Sequence, residues 1–363
     1  MIRVLIDGQV FSIHRRGGIG RVFSSVYGEY LQLPRDFEVD VKISLGVFLT
    51  KYSGIARIRK KRPPLFMKGF FSSSKIALAT NWLYLWLSHY EIVHSTYYFQ
   101  KFLIRRRGKK HVVTLHDMIP EDFPQFFLSS NPHFQKEKFL RNADRIVCVS
   151  NYTMSRLAQH YPDLVHKAIM IYPGVTVPAS KNLAQVRDST ILFVGARGGY
   201  KDFVTLLKSL PTLFESEPSL QVLVAGNEQF SSSESALILE LGLVGRVTQK
   251  DLSDQDLEKA YETCLALVIT SHAEGFGLPV IEAMAHGALV IATDIPVFKE
   301  IADDAFLAFS PGNFTELTFW IQSVLADPAA FDSKREKGRL IASQYTWKKT
   351  LSGLLNLYKE IGN

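Results

Sequence analysis

The chain has 363 residues, 47% of them hydrophobic and 21% charged, with a formal net charge of +7. This is the composition of a folded, water-soluble protein, and it excludes a disordered, collagen-like or coiled-coil chain. At about 100–200 residues per domain, two domains are expected.

No run reaches the ~18 apolar residues that a membrane span needs; the nearest is Ile76 to Leu87 (IALATNWLYLWL). The N-terminus, MIRVLIDGQV, runs directly into a strand-like segment and lacks the sections of a signal peptide. Cys148 and Cys264 have no metal-type spacing and suit a reducing cytoplasm.

Charge is unevenly divided. Residues 1–170 carry 26 Lys+Arg against 12 Asp+Glu, net +14, and residues 171–363 carry 16 against 23, net −7. The excess concentrates in Arg57 to Arg62 (RIRKKR) and Arg105 to Lys110 (RRRGKK). Such clusters suit anionic lipid or another anionic partner, or simply a solvated basic face. The Trp-bearing apolar segment near the first cluster favours a membrane surface. No nucleic-acid-binding module is recognisable.

In chain order, the first half alternates short apolar runs with amphipathic ones. Strands are expected at Arg3–Ile6, Val39–Ser44, Ile92–His94, His111–Leu115 and Arg145–Val149. A glycine-rich turn, Gly17-Gly18-Ile19-Gly20, precedes a helix from about Arg21 to Leu31; further helices are expected at His133–Asn142 and Asn151–His160. Ile171 to Lys181 (IYPGVTVPASK) reads as a connector. The alternation then restarts, with strands at Ile191–Val194, Leu220–Ala225, Ala266–Ile269 and Leu289–Ala292. Helices are expected at Phe203–Phe214, Ser235–Leu241, Asp254–Thr263 and Pro279–His286. Strands that alternate with helices imply parallel sheets covered on both faces, here two α/β domains in tandem with a cleft between them as the default site.

One stretch concentrates chemistry. Ser271 to Gly287 reads SHAEGFGLPVIEAMAHG. It follows a buried strand, so its first half is the loop at the strand's carboxyl end, where ligands bind in such sheets. Pro279 suits a first helical turn, and Gly287 the residue just past a helix end. Gly275 and Gly277 allow close backbone approach beside a helix N-terminus, which favours anions. Glu282, one turn into the helix, suits two hydroxyl donors such as those of a ribose, and Glu274 lies nearer the strand tip, where a sugar would meet it.

EGFGLPVIE resembles the Glu-x7-Glu motif of the family 4 glycosyltransferases, retaining enzymes of the GT-B fold. The likeness covers nearly the whole chain: GGIGR at 17–21, TLHDMIP at 114–120, VCVSNYT at 147–153, YPGV at 172–175, FVGARGGYK at 193–201 and YTWKKT at 345–350 resemble family segments in the same order. The resemblance implies two Rossmann-like doubly wound domains. Residues 1–172 would bind acceptor, with a C-terminal helix at 346–363 returning to them, and residues 173–345 would bind the nucleotide sugar.

The resemblance also implies roles. Arg197 would offer a bidentate fork, and Lys201 a point charge, to the donor diphosphate. Gly195, Glu274, Gly275, Phe276, Gly277, Leu278 and Glu282 would line the donor site, with Gly18 and Ile19 approaching the diphosphate or the transferred sugar. His116 would meet a donor-sugar hydroxyl, and Arg21 and Asp117 would lie towards the acceptor. No Asp-x-Asp metal signature stands out, so no metal or other cofactor is expected, the cations and the helix N-terminus serving the leaving group. The family often has Arg-Lys-Asn where this chain has Gly199-Tyr200-Lys201-Asp202, with the Lys kept, and an apolar-Gly segment where it has Val247-Thr248-Gln249-Lys250.

The expected activity is retaining hexose transfer onto a growing, lipid-linked surface polysaccharide or O-antigen. GDP-mannose is the family-level donor, and the expected location is the cytoplasmic face of the membrane, held peripherally. The rivals are a sugar-nucleotide epimerase of the same fold and a non-catalytic sugar-nucleotide-binding or membrane scaffold protein.

Overall fold

A computed structural model describes residues 1–13, 17–34, 38–44, 74–99, 109–128, 131–178 and 187–363. The basic cluster at 57–62, most of that at 105–110 and the last residues of the connector at 171–181 lie outside the described residues. The chain divides into two compact units, Met1–Gly174 with Trp347–Asn363, and Val175–Thr346.

The first unit holds six parallel strands: β1 (Ile2–Ile6), β2 (Val39–Ile43), β3 (Ile92–Ser95), β4 (Lys110–Leu115), β5 (Arg145–Cys148) and β6 (Ala168–Met170). Their order is β2-β1-β3-β4-β5-β6, with Leu5 in register with Lys42 on one side and Val93 on the other. The order reverses between β1 and β3. That is the topological switch point, where a crevice opens beyond the strands' carboxyl ends.

After β1 come a short helix, α1 (Gln9–Ile13), and α2 (Gly18–Tyr30). The Trp-bearing segment is a helix, α3 (Ser74–Leu87). It is anchored by buried Asn81, which donates to the Gly8 carbonyl (3.0 Å) and Ser12 Oγ (2.8 Å) and accepts from Ser44 Oγ (2.6 Å). Leu85 is buried on the same side, while Trp82, Leu83, Trp86 and Leu87 are exposed.

The C-terminal helix Trp347–Gly362 packs on α2 and β1. A buried polar chain fastens it: Tyr358 Oη lies 2.6 Å from His94 Nδ1, and His94 Nε2 lies 2.7 Å from Thr114 Oγ1. Gly353 permits the approach, since a Cβ there would meet Ile171 Cγ2 at 3.2 Å.

The second unit holds six further parallel strands: β7 (Thr190–Val194), β8 (Gln221–Ala225), β9 (Val247–Lys250), β10 (Ala266–Ile269), β11 (Val290–Thr293) and β12 (Leu307–Phe309). Their order is β12-β11-β10-β7-β8-β9, so the switch point lies between β7 and β10. β10 and β11 are buried at every position, as continuous apolar runs covered on both faces must be. Both sheets are thus doubly wound, as the alternating pattern implied.

Several local expectations need correction. The helix expected over Phe203–Phe214 is two, Phe203–Ser209 and Pro211–Ser216, because Pro211 has no N–H to continue the ladder. The segment expected as one helix over His133–Asn142 opens as a 3-10 turn, Pro132–Gln135, before the helix Lys136–Asn142. α2 begins at Gly18, three residues before its expected start, so that glycines form its first turn.

Two buried imidazoles make the first unit acid-sensitive. Burial, helped by His111 and His116, pushes His94 down to about 3, and burial pushes His111 down to about 4. Between these values and the ordinary 6.5 the unfolded chain binds protons that the native chain refuses, so stability is lost as pH falls below about 6.5. At pH 5 each imidazole is expected to cost about 2 kcal/mol. Urea denaturation at pH 7 and pH 5 checks this: the loss between them should shrink by about that amount in His111→Gln. An equal loss in the variant would refute the assignment.

Candidate active site

The second unit's switch point is bounded by the loops that follow β7 and β10. Gly195, at φ +115°, turns the chain away from β7 in a conformation that favours glycine. The loop ends in a 3-10 turn, Gly199–Lys201, followed by Asp202 at φ +48°. Hydrogen bonds lace it to the loop beyond β10. Thr270 Oγ1 donates to the Lys201 carbonyl (2.6 Å), His272 N–H to the Tyr200 carbonyl (2.8 Å), and His272 Nε2 lies 3.0 Å from Asp202 Oδ2.

Across this seam Lys201 Nζ donates to Glu274 Oε1 at 2.6 Å, and Ser271 Oγ donates to the same oxygen at 2.8 Å. Sequence separation hid this junction: the expected diphosphate cation and the expected sugar-binding carboxylate are one ion pair, both side chains part-exposed at 21% and 16%.

Glu274 leads through Gly275, Phe276 and Gly277 into the helix Leu278–Ala285, with Pro279 in its first turn. Gly277 is obligatory on two counts. It sits at φ +93°, and a Cβ there would meet Phe298 Cε1 at 2.7 Å. Phe276 packs edge-on against Tyr345, centroids 5.7 Å apart. One turn in, Glu282 is only 9% exposed and accepts from Tyr261 Oη at 3.2 Å. Tyr261 and Ser271 are supporting groups that sequence reading missed. The spacing of the helix Asp254–Thr263 marks Tyr261 as buried, but nothing in it points to Glu282.

Arg197 corrects an expectation. It does not present a fork to a ligand: it is 7% exposed and engaged within the unit. Nε donates to Glu234 Oε1 (2.8 Å), Nη1 to the Glu228 carbonyl (3.0 Å), and Nη2 to the Gln229 carbonyl (2.7 Å) and Glu234 Oε2 (3.3 Å). Glu234 also completes a capping box with Ser231 at the helix Ser232–Glu240. Burial would raise the Glu234 carboxyl, but the bonds from Arg197 and Ser231 and the Arg197 charge bring it below its ordinary value. Arg197 therefore braces the loop that carries Lys201.

A second correction concerns spacing. Asp254-Gln255-Asp256 does have the Asp-x-Asp form. It opens a helix, where carboxylates complement the dipole, and Asp256 accepts from its N-cap, Ser253 Oγ, at 2.6 Å. Among the described residues no cluster of three or more His, Cys, Asp or Glu is placed to hold a metal.

In the first unit, His116 follows β4 directly. Its ring Nε2 lies 3.1 Å from the Thr96 carbonyl at the tip of β3, and its backbone N–H donates to Tyr98 Oη at 3.2 Å. Phe23 of α2 meets the ring edge-on, centroids 6.2 Å apart. Asp117 is engaged by groups of its own unit. Oδ1 accepts from Ile119 N–H at 3.0 Å and lies 3.7 Å from fully buried Lys136 Nζ, which donates to the Asp117 carbonyl and to Glu121. Burial would raise the Asp117 carboxyl, and Lys136, His133 and the Ile119 N–H bring it below its ordinary value. Gly18 is exposed at the start of α2; Ile19 packs against the Tyr97–Leu115 core, and Arg21 is half-buried in the same turn.

Comparison with known proteins matches residues 16–177 to the model described as Glycosyltransferase Family 4, and residues 179–341 to that described as Glycosyl transferases group 1. The O-antigen chain mannosyltransferase RfbU of Salmonella typhimurium is 27% identical over 56% of this chain, and the match spans 57% of that relative's own length. A GDP-mannose:cellobiosyl-diphosphopolyprenol alpha-mannosyltransferase of Xanthomonas oryzae pv. oryzae is 24% identical over 70% of this chain and 68% of its own. A crystal structure of Anabaena HepE in complex with UDP and glucose superposes with a TM-score of 0.72 at 18% identity, covering 99% of both chains.

The bracing role of Arg197 is testable. Arg197→Ala strands the Glu234 carboxylate and is expected to cost about 3–5 kcal/mol of stability in urea denaturation. Arg197→Lys should recover little, since a single ammonium cannot reproduce the fork. A fully stable Arg197→Ala protein would show that the guanidinium is not structural.

Proposed function

The chain belongs to the group 1, family 4 glycosyl transferases and has their GT-B fold, and from that premise we propose that it is a retaining hexosyltransferase acting on a lipid-linked glycan. The observation that carries the reading is the Lys201–Glu274 pair at the β7/β10 switch point, beside the N-terminus of the helix that holds Glu282.

A donor diphosphate meets Lys201 and the N–H groups of Gly277 and the first helical turn, which together offset the charge that develops as it departs. Glu282, aimed by Tyr261, accepts the two ribose hydroxyls. Glu274 accepts from the hydroxyls of the transferred sugar. With an ammonium and a hydroxyl already on Oε1, Glu274 is a poor nucleophile, which favours attack from the face the diphosphate leaves. In that step the acceptor oxygen bonds to the anomeric carbon and the carbon–phosphate oxygen bond breaks. The acceptor's proton passes to an oxygen of the departing diphosphate.

Mannose is the sugar that the names of both relatives support, and GDP-mannose as donor with a polyprenol-linked acceptor fits the Xanthomonas relative. Membrane association rests on α3: Trp82, Leu83, Trp86 and Leu87 form one exposed face, and the basic run 57–62 precedes it in sequence. Among the described residues no helix is long and apolar enough to cross a membrane.

Two measurements test this. Calorimetric titration with GDP, UDP, ADP and dTDP should find one tight ligand, weakened at least about tenfold in Glu282→Ala, the loss of a charged hydrogen-bond acceptor. Binding of none, or binding indifferent to Glu282, would remove the donor site. Co-sedimentation with anionic vesicles should be weakened more than about tenfold by neutralising Lys60 and Lys61, at roughly 1 kcal/mol for each. It should also be weakened by Trp82→Ala/Trp86→Ala. Binding insensitive to both changes would exclude this surface.

A further inference from the structure

The first sheet also reverses order, between β1 and β3, and the residues at that switch point are tied together by a carboxylate with no assigned role. Asp7, at the carboxyl end of β1, is fully buried. Its Oδ1 accepts from Thr96 N–H (2.9 Å), Thr96 Oγ1 (2.6 Å) and more distantly Gln9 N–H (3.4 Å); Oδ2 accepts from Gln9 Nε2. Thr96 Oγ1 in turn accepts from Val10 N–H at 3.2 Å.

The set is directional. Gln9 Oε1 accepts from Phe99 N–H at 2.8 Å, so its amide is oriented with Nε2 towards Asp7. That end donates only, and its partner must accept. An asparagine at position 7 would set donor against donor, and flipping Gln9 would set donor against Phe99 N–H. Thr96 is thus held by both its amide and its hydroxyl, and the direction of its carbonyl follows. Burial holds the Asp7 carboxyl above its ordinary value, against the bonds from Thr96, Gln9 and Ser95. The ionised group is therefore a cost to folding, incurred as pH rises past the ordinary carboxylate range.

The Thr96 carbonyl faces His116 Nε2 at 3.1 Å. A carbonyl only accepts, so Nε2 carries the proton, and in the neutral ring Nδ1 is an acceptor. We propose that Asp7 is a positioning residue for His116: it orients Thr96, and the Thr96 carbonyl holds the imidazole as the Nε2–H tautomer, making Nδ1 the acceptor for a substrate hydroxyl. This rests on the reading that His116 meets the donor sugar. It assigns His116 the work of orienting a hydroxyl, not of delivering a proton.

The test reads tautomer and turnover separately. Long-range 1H–15N correlation of the histidine rings, with His116→Gln to assign the signal, should show neutral His116 protonated at Nε2. Asp7→Asn should mix the tautomers and lower kcat roughly 10- to 100-fold, as misplacement of a reacting group does, while donor KM stays within about threefold. Thr96→Ser, which keeps amide and hydroxyl, should behave as wild type. An Nδ1–H tautomer in the wild type overturns the proposal, and so does an Asp7→Asn protein with either the tautomer or kcat unchanged. If Asp7→Asn fails to fold, Thr96→Val makes the same comparison by removing the hydroxyl alone. If no donor turns over, the transferase reading falls, and the tautomer still decides this inference.

Discussion

The chemistry proposed for the second unit depends on one constraint: Lys201 and Glu274 are brought together because β7 and β10 are neighbours across a reversal of strand order. Helices leave such a sheet on opposite faces at that point, so the two loops have no helix between them and can bond to each other. Thr270, His272 and Asp202 make that junction rigid. A cation and a carboxylate then meet beside the N-terminus of the helix Leu278–Ala285. Arg197, buried against Glu234, sets the loop on one side, and Gly277, forced against Phe298, sets the helix on the other. The groups offered to a ligand are few, and most of the polar side chains around them are spent on holding those few still.

The first unit repeats the device with different residues. Its reversal lies between β1 and β3, where Asp7 and Thr96 bind the strand tips together and so direct the carbonyl that holds His116. Buried His94 connects the neighbouring strand β4, through Thr114, to Tyr358 on the C-terminal helix. That helix follows the second unit in sequence, yet it completes the first unit's core.

Much of this was legible in the sequence. ALVI and VIAT are apolar at every position because both sheet faces are covered, and Pro279 and Gly287 bracket their helix for backbone reasons that need no tertiary context. The Glu-x7-Glu spacing placed one carboxylate in a loop and the other one helical turn on, as found. What escaped was long-range partnership. Arg197 looks like an open cation until Glu228, Gln229 and Glu234 close on it from the following strand–helix unit. Asp117 looks available until Lys136 is seen beneath it. β9 escaped for another reason: VTQK is an edge strand with little buried surface, so its composition is that of a loop. Asp7 gave no sign at all, since its partners lie at Gln9 and, far along the chain, at Thr96.

The role of the switch-point pair is tested most directly by the rate of sugar transfer by Glu274→Ala, measured beside its affinity for the nucleotide. Turnover is expected to fall by roughly three or more orders of magnitude, because the groups at this pair act on the transferred sugar in the transition state. Nucleotide affinity should stay within a few-fold of wild type, because Lys201 and Glu282 remain. A Glu274→Ala protein that still transfers sugar at near the wild-type rate would contradict the assignment of the switch-point pair as the centre of the reaction.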